Sequence, residues 1–182
     1  MNKILTVLLT TSLAFAFSMN ANAADATAKA KYNATKDTAA ADYKTASTQC
    51  DSLSGNGKDV CIAEAKAART NTVANAEVQY KNTAKARASA RKDIADANYA
   101  VAKTKCGSKG GNDKDVCIKE AKAAKTAQIA DAEANQKTSE AVTTATGDKR
   151  DADYDVAIQK CDALAGVSKD SCVANAKAKF HK

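Results

Sequence analysis

The six cysteines form three pairs with the same internal spacing, and this spacing constrains the fold more than any other feature. The pairs recur at steps of 56 and 55 residues, and a tyrosine stands seven residues before the first cysteine of each pair. The pairs are Cys50 and Cys61, Cys106 and Cys117, and Cys161 and Cys172. A repeat of this length predicts three serially linked supersecondary units.

The first 23 residues have the pattern of a secretory signal peptide. Lys3 supplies the charged start, residues 4–17 form an apolar stretch, and Ala21-Asn22-Ala23 is a small-x-small cleavage site. We therefore predict cleavage between Ala23 and Ala24, with an uncleaved anchor helix as the alternative. The predicted destination is the periplasm, and secretion beyond the periplasm is the alternative. No later stretch is apolar enough to predict a transmembrane segment.

In an oxidising compartment, an even number of cysteines at repeated spacing predicts disulfides. If each unit folds alike, each pair closes on itself. The alternative is a metal site, but zinc sites favour short Cys-x-x-Cys spacings with histidines, and this chain has His181 as its single histidine. We predict three disulfides within the units and no metal or cofactor.

Alanine dominates the composition after residue 23, and the chain has no proline or tryptophan. Because alanine is the best intrinsic helix former, helices should form readily but bury little surface per residue. Tyr43, Ala46 and Cys50 share one helical stripe, and the equivalent residues share it in the other units. Glycines between the paired cysteines predict turns. The predicted fold is all-α, with three antiparallel helical hairpins whose loops are pinned by disulfides, arranged as an elongated or coiled-coil-like bundle.

Residues 24–182 therefore form one helical repeat region with units centred on residues 50–61, 106–117 and 161–172. Asn56 and Asn112 are predicted N-caps, followed three residues later by aspartate. Two stretches could interrupt the long arms: residues 81–83, where continuous helix and a kink are equally compatible with the sequence, and residues 143–147. Three threonines and Gly147 in the second stretch predict a break there.

Other residues were weighed as functional sites. The repeated tyrosines suit a ligand platform, but covering the disulfide of each hairpin is the favoured role. Alternating aspartates near residue 150 lack the pattern of a calcium loop, and no Ser-His-Asp or Cys-His arrangement is present. The net charge of +7 is spread among acidic residues, which favours an anionic partner only diffusely and predicts no specific nucleic-acid binding.

With the signal peptide, the Tyr-x-x-Ala-x-x-x-Cys stretches and the Lys-Asp-Val-Cys-Ile-x-Glu-Ala-Lys-Ala motif of the first two units in view, the chain resembles a group of small exported proteobacterial proteins rich in alanine and lysine. These are often labelled TolA-like or cell-envelope proteins. The resemblance implies no activity. TolA itself is similar only in its helix composition, and its stalk has no counterpart of the cysteine hairpins.

The sequence predicts a non-enzymatic structural or interaction protein of the cell envelope, bound to an envelope protein or an anionic envelope component. The alternative is a periplasmic chaperone or stress protein that binds clients on a basic helical surface. An enzyme is disfavoured, because no nucleophile, base or metal cluster emerges from the sequence.

Overall fold

A computed structural model describes the backbone of residues 21–182 and the side chains from residue 25 onward. Residues 1–20 of the predicted signal peptide lie outside this described part. Five α-helices follow one another, and no strand occurs in the described residues. The helices are α1 (Ala21–Gln49), α2 (Gly55–Lys81), α3 (Ala84–Lys105), α4 (Gly111–Cys161) and α5 (Gly166–Phe180). The all-α prediction is confirmed.

Three disulfides pin the loops between helices, as the repeat predicts. Their Cα–Cα distances are 5.7, 5.8 and 5.6 Å, and each joins cysteines 11 positions apart. The first bridge joins the α1–α2 loop, the second the α3–α4 loop and the third the α4–α5 loop. The predicted hairpins and their internal pairing are therefore confirmed.

The helices lie in a single row. Each helix packs against its neighbours in the chain, and among the described residues no other pair of helices makes an extensive contact. α3 lies along the first part of α4, where Lys92 pairs with Glu133, and α5 lies along the last part, below the third bridge. α2 and α3 are therefore covered on two sides, whereas α4 has α3 along its first part and α5 along its last part.

Alanine makes this single row possible. In the described residues, the buried set consists of alanine and cysteine alone. α2 buries Ala65 and Ala76 on one side and Ala67 and Ala74 on nearly the opposite side, because two positions along a helix turn it by about 200°. Short side chains let helix axes approach closely. The alanines on the two sides of α2 therefore let α2 pack between α1 and α3.

A two-residue turn reverses the chain between α2 and α3. Asn82 adopts a left-handed conformation with φ of 43° and ends α2, and Thr83 caps α3 by accepting a hydrogen bond from the Ala86 amide. Asparagine tolerates this conformation better than most residues with a Cβ atom. The structure therefore shows neither the continuous helix nor the kink expected at residues 81–83, because the chain reverses fully there.

The break predicted near Gly147 is wrong, because α4 runs without interruption for 51 residues. One glycine costs a helix only about 1 kcal/mol relative to alanine, which the surrounding helix formers outweigh. The Thr143 and Thr146 hydroxyls donate to the carbonyls of Ser139 and Val142 one turn earlier, so these threonines are accommodated within the helix.

The predicted N-caps Asn56 and Asn112 are also misplaced, because each follows the first residue of its helix. The helices instead begin at Gly55, Gly111 and Gly166, all with φ between 51° and 57°. A left-handed residue lets the chain turn sharply beside the disulfide, and glycine has no Cβ atom to oppose this conformation.

Candidate interaction surface

The three disulfides are built alike. In each, the first cysteine is the buried partner, with 1% of its surface exposed, and the second is half-buried. The loops of the first two hairpins lie side by side, since a Cβ atom on Gly107 would stand 2.6 Å from Oδ1 of Asn56. The third disulfide lies at the opposite end of α4. The cysteines therefore act as structural staples near both ends of α4.

The loop of the third hairpin exposes large apolar side chains to solvent. It carries Leu164, 44% exposed, and Val167, 84% exposed. A shallow groove of about 550 Å³ runs beside its disulfide, lined among others by Val156, Ala176 and Phe180. The structure thus places the apolar side chains of the third loop in the open.

The repeated tyrosines face their hairpin partners two turns away from the cysteines. Tyr43 lies under the Arg69 guanidinium, with 5.8 Å between the charged group and the ring centroid, and Tyr99 lies under the Lys125 ammonium at 5.4 Å. The repeat places an aromatic ring at the equivalent position of the third hairpin. There Phe180 contacts Tyr154 edge to face, with the two ring centroids 6.1 Å apart. Each tyrosine thus contacts the neighbouring helix of its hairpin, two turns away from the disulfide that it was expected to cover.

Sequence reasoning did not identify the second aromatic contact of the first hairpin. Tyr32 and Tyr80 stack with ring centroids 5.5 Å apart, joining the beginning of α1 to the end of α2. Neither residue belongs to the repeated motif. Both tyrosines lie on the helix faces that meet in the first hairpin. Tyr32 precedes Cys50 by nearly as many positions as Tyr80 follows Cys61, so this spacing from the bridge could have predicted their contact.

Ion pairs cross the seams between neighbouring helices. Lys92 donates a hydrogen bond of 2.8 Å to Glu133 and so lowers the pKa of that carboxyl below its ordinary value. At the chain end, a hydrogen bond from Lys182 similarly lowers the pKa of Asp151. Because these groups are exposed, each such pair contributes little to the stability of the fold.

The remaining candidates form no chemical site. His181 adopts a φ of 56° at the end of α5, where it serves as a C-cap. Within the part of the chain that the structure describes, no three histidine, cysteine or acidic residues form a group that could hold a metal ion. No helix there is both long and apolar enough to cross a membrane. The cleavage junction, Ala23 and Ala24, lies in the first turn of α1, and its processing remains a prediction.

No known protein family, curated protein or solved structure matches this chain. Disulfides form and persist in oxidising environments, and three of them indicate an oxidising, extracytoplasmic environment for this chain.

Proposed function

We propose that the protein is a non-enzymatic structural or interaction module of the bacterial periplasm. The observation that carries this proposal is α4, whose 51 residues span about 75 Å at 1.5 Å per residue and link stapled hairpins at its two ends. Such an element suits a spacer that holds two interaction surfaces apart. The three disulfides, which indicate an oxidising, extracytoplasmic environment, support a role in the cell envelope.

The partner that we propose is an envelope protein or an anionic envelope component. The third hairpin offers exposed apolar side chains at its tip, where Val167 is the most exposed large hydrophobic residue described. The basic side chain of Lys179 lines its groove. This combination suits a partner with an apolar contact and a negatively charged rim.

The test is site-specific photo-crosslinking in living cells. A photoreactive amino acid at Val167 should yield one or a few defined adducts with an envelope component. The same amino acid at Lys44, on the exposed face of α1, is the matched control and should yield fewer. Equal, unselective adducts from both positions would contradict a defined partner at the third hairpin.

Periplasmic export has its own test. N-terminal analysis of the protein from periplasmic extract should begin at Ala24, reading Ala-Asp-Ala-Thr. Recovery of a chain that begins at Met1 in the membrane fraction would contradict cleavage.

A periplasmic chaperone is the second candidate, favoured by the exposed apolar residues of the third hairpin. Under this hypothesis the protein should suppress the aggregation of an unfolded client, and Val167→Asp should weaken that effect. Unchanged client aggregation in both redox forms of the protein would leave the structural module as the better proposal.

A further inference from the structure

The seam between α2 and α3 defines what one hairpin needs from the next. Ala67 is 7% exposed and borders the grooves on both sides of this seam. Ala97 and Val101 of α3 line the opposite wall and are half-buried. Glu64 and Lys105 pair across the seam at 2.7 Å. We call the face of a hairpin's second helix that carries Ala67 or its equivalent the forward edge. The face of a hairpin's first helix that carries Val101 or its equivalent is the rear edge.

Both edges recur in α4 with the same residue types. The repeat steps of 56 and 55 residues carry the forward edge to Glu120 and Ala123, and the rear edge to Ala152, Val156 and Lys160. All five residues are exposed, and Val156 has 53% of its surface uncovered. α4 therefore carries a forward edge in its first half and a rear edge in its second half, and neither is covered within the chain.

A single residue explains why the chain does not cover these edges itself. Thr138 stands at the position of Asn82, the left-handed residue that reverses the chain between α2 and α3. A β-branched residue is strongly disfavoured at positive φ, so the chain continues as helix through residue 138. The hairpin that would have buried one half of α4 on the other is thereby opened.

We propose that a second copy of this chain covers both edges by packing its α4 antiparallel to the first. An opened hairpin whose halves pair with those of another copy is the geometry of a domain-swapped dimer. The pairing places Glu120 of one copy beside Lys160 of the other, as Glu64 stands beside Lys105 within the chain.

The register of this pair fixes the symmetry. If Glu120 lies opposite Lys160 of the second copy, the two-fold axis passes beside residue 140, midway between them. This position is close to the centre of α4, which spans Gly111–Cys161. One operation therefore covers both halves of both helices at once. In the dimer, the row of α1, α2, α3 and the first half of α4 in one copy continues with the second half of α4 and α5 of the other copy. The single layer of helices leaves the edges of α4 open for this contact.

Sedimentation equilibrium of the oxidised full-length mature chain tests the dimer. We expect twice the chain mass, and a single-chain mass at all concentrations would overturn the proposal. The charge-reversal variants Glu120→Lys and Lys160→Glu should each raise the dimer dissociation constant by about tenfold, since each creates two like-charged pairs per dimer. The double variant should restore it. Lys44→Glu, on α1 and away from the interface, is the matched control.

A second variant separates this interface from any other. Thr138→Asn, which recreates the residue of the first turn, should let α4 fold back on itself and convert the dimer into a closed monomer. Circular dichroism verifies that the variant stays helical. If Val167→Asp dissociates the dimer while the charge reversals do not, the copies associate through the third hairpin and the proposal is wrong.

Discussion

Removing the third disulfide should unfold α5 while the other helices persist. The bridge closes a ring between cysteines 11 positions apart, which is worth about 3 kcal/mol in the chain-entropy description. α5 has 15 residues and buries only Ala176 along its length. Isolated helices shorter than about 12–15 residues are marginal in water, and the contact of Phe180 with Tyr154 contributes less than the bridge does to holding α5 against α4. We therefore expect the paired variant Cys161→Ala and Cys172→Ala to lose order in α5.

Hydrogen exchange followed by mass spectrometry measures this directly. The amides of α5 should exchange at nearly unfolded rates in the paired variant, with unchanged protection in α2 and α3. The matched control is Cys50→Ala with Cys61→Ala, which opens a ring of the same size. There α1 and α2 should remain protected, because Ala39 and the alanines of α2 are buried in their row. An α5 as protected as in the native protein would refute this reasoning.

Three further predictions concern the seams and the turn between α2 and α3. Ala95→Leu, at a site 1% exposed between α3 and α4, should overpack the seam and cost about 1–3 kcal/mol in urea unfolding, whereas Ala41→Leu on the exposed side of α1 should cost little. Asn82→Thr should destabilise the protein by about 1–2 kcal/mol because of its left-handed backbone, and Asn82→Gly should not. The pKa of Glu133 is lowered by Lys92, so its stabilisation should be present above its ordinary pKa of about 4.3 and be lost as pH falls through the depressed value. The stability difference between the native protein and Glu133→Gln, measured by urea unfolding across pH, should shrink on acidification, and a constant difference would contradict the pairing.

The sequence alone predicted the staples and the hairpins because the cysteine spacing repeats without interruption. For residues 81–83 it left continuous helix and a kink open, and it predicted the second break near Gly147 rather than at residue 138, which aligns with residue 82 at the repeat period. What distinguishes the two aligned positions is the side chain, asparagine at the left-handed residue 82 and threonine at the helical residue 138. This signal is local and readable in the sequence, yet helix propensity alone ranks the two residues almost equally.

The arrangement of the hairpins was harder to predict. Alanine on both sides of α2 is compatible with a closed bundle as well as with a row, and the choice depends on which helices meet. The position of the break was misjudged because Gly147 was weighed without the hydroxyl–carbonyl bonds that keep Thr143 and Thr146 helical. The exposed Val156 gained its meaning only when its equivalent, Val101, was found against α2.

The distance between the two ends of α4 tests the architecture most directly. Fluorescent non-canonical amino acids at Lys114 and Val167, in labelled protein mixed with excess unlabelled chain, report this distance within one molecule by energy transfer. A continuous α4 predicts a separation of about 70 Å. A chain that turns back at residues 138–139 would bring the labels within about 20 Å, since packed helix axes lie 8–10 Å apart, and that result would contradict the continuous helix on which the proposed spacer and the dimer both depend.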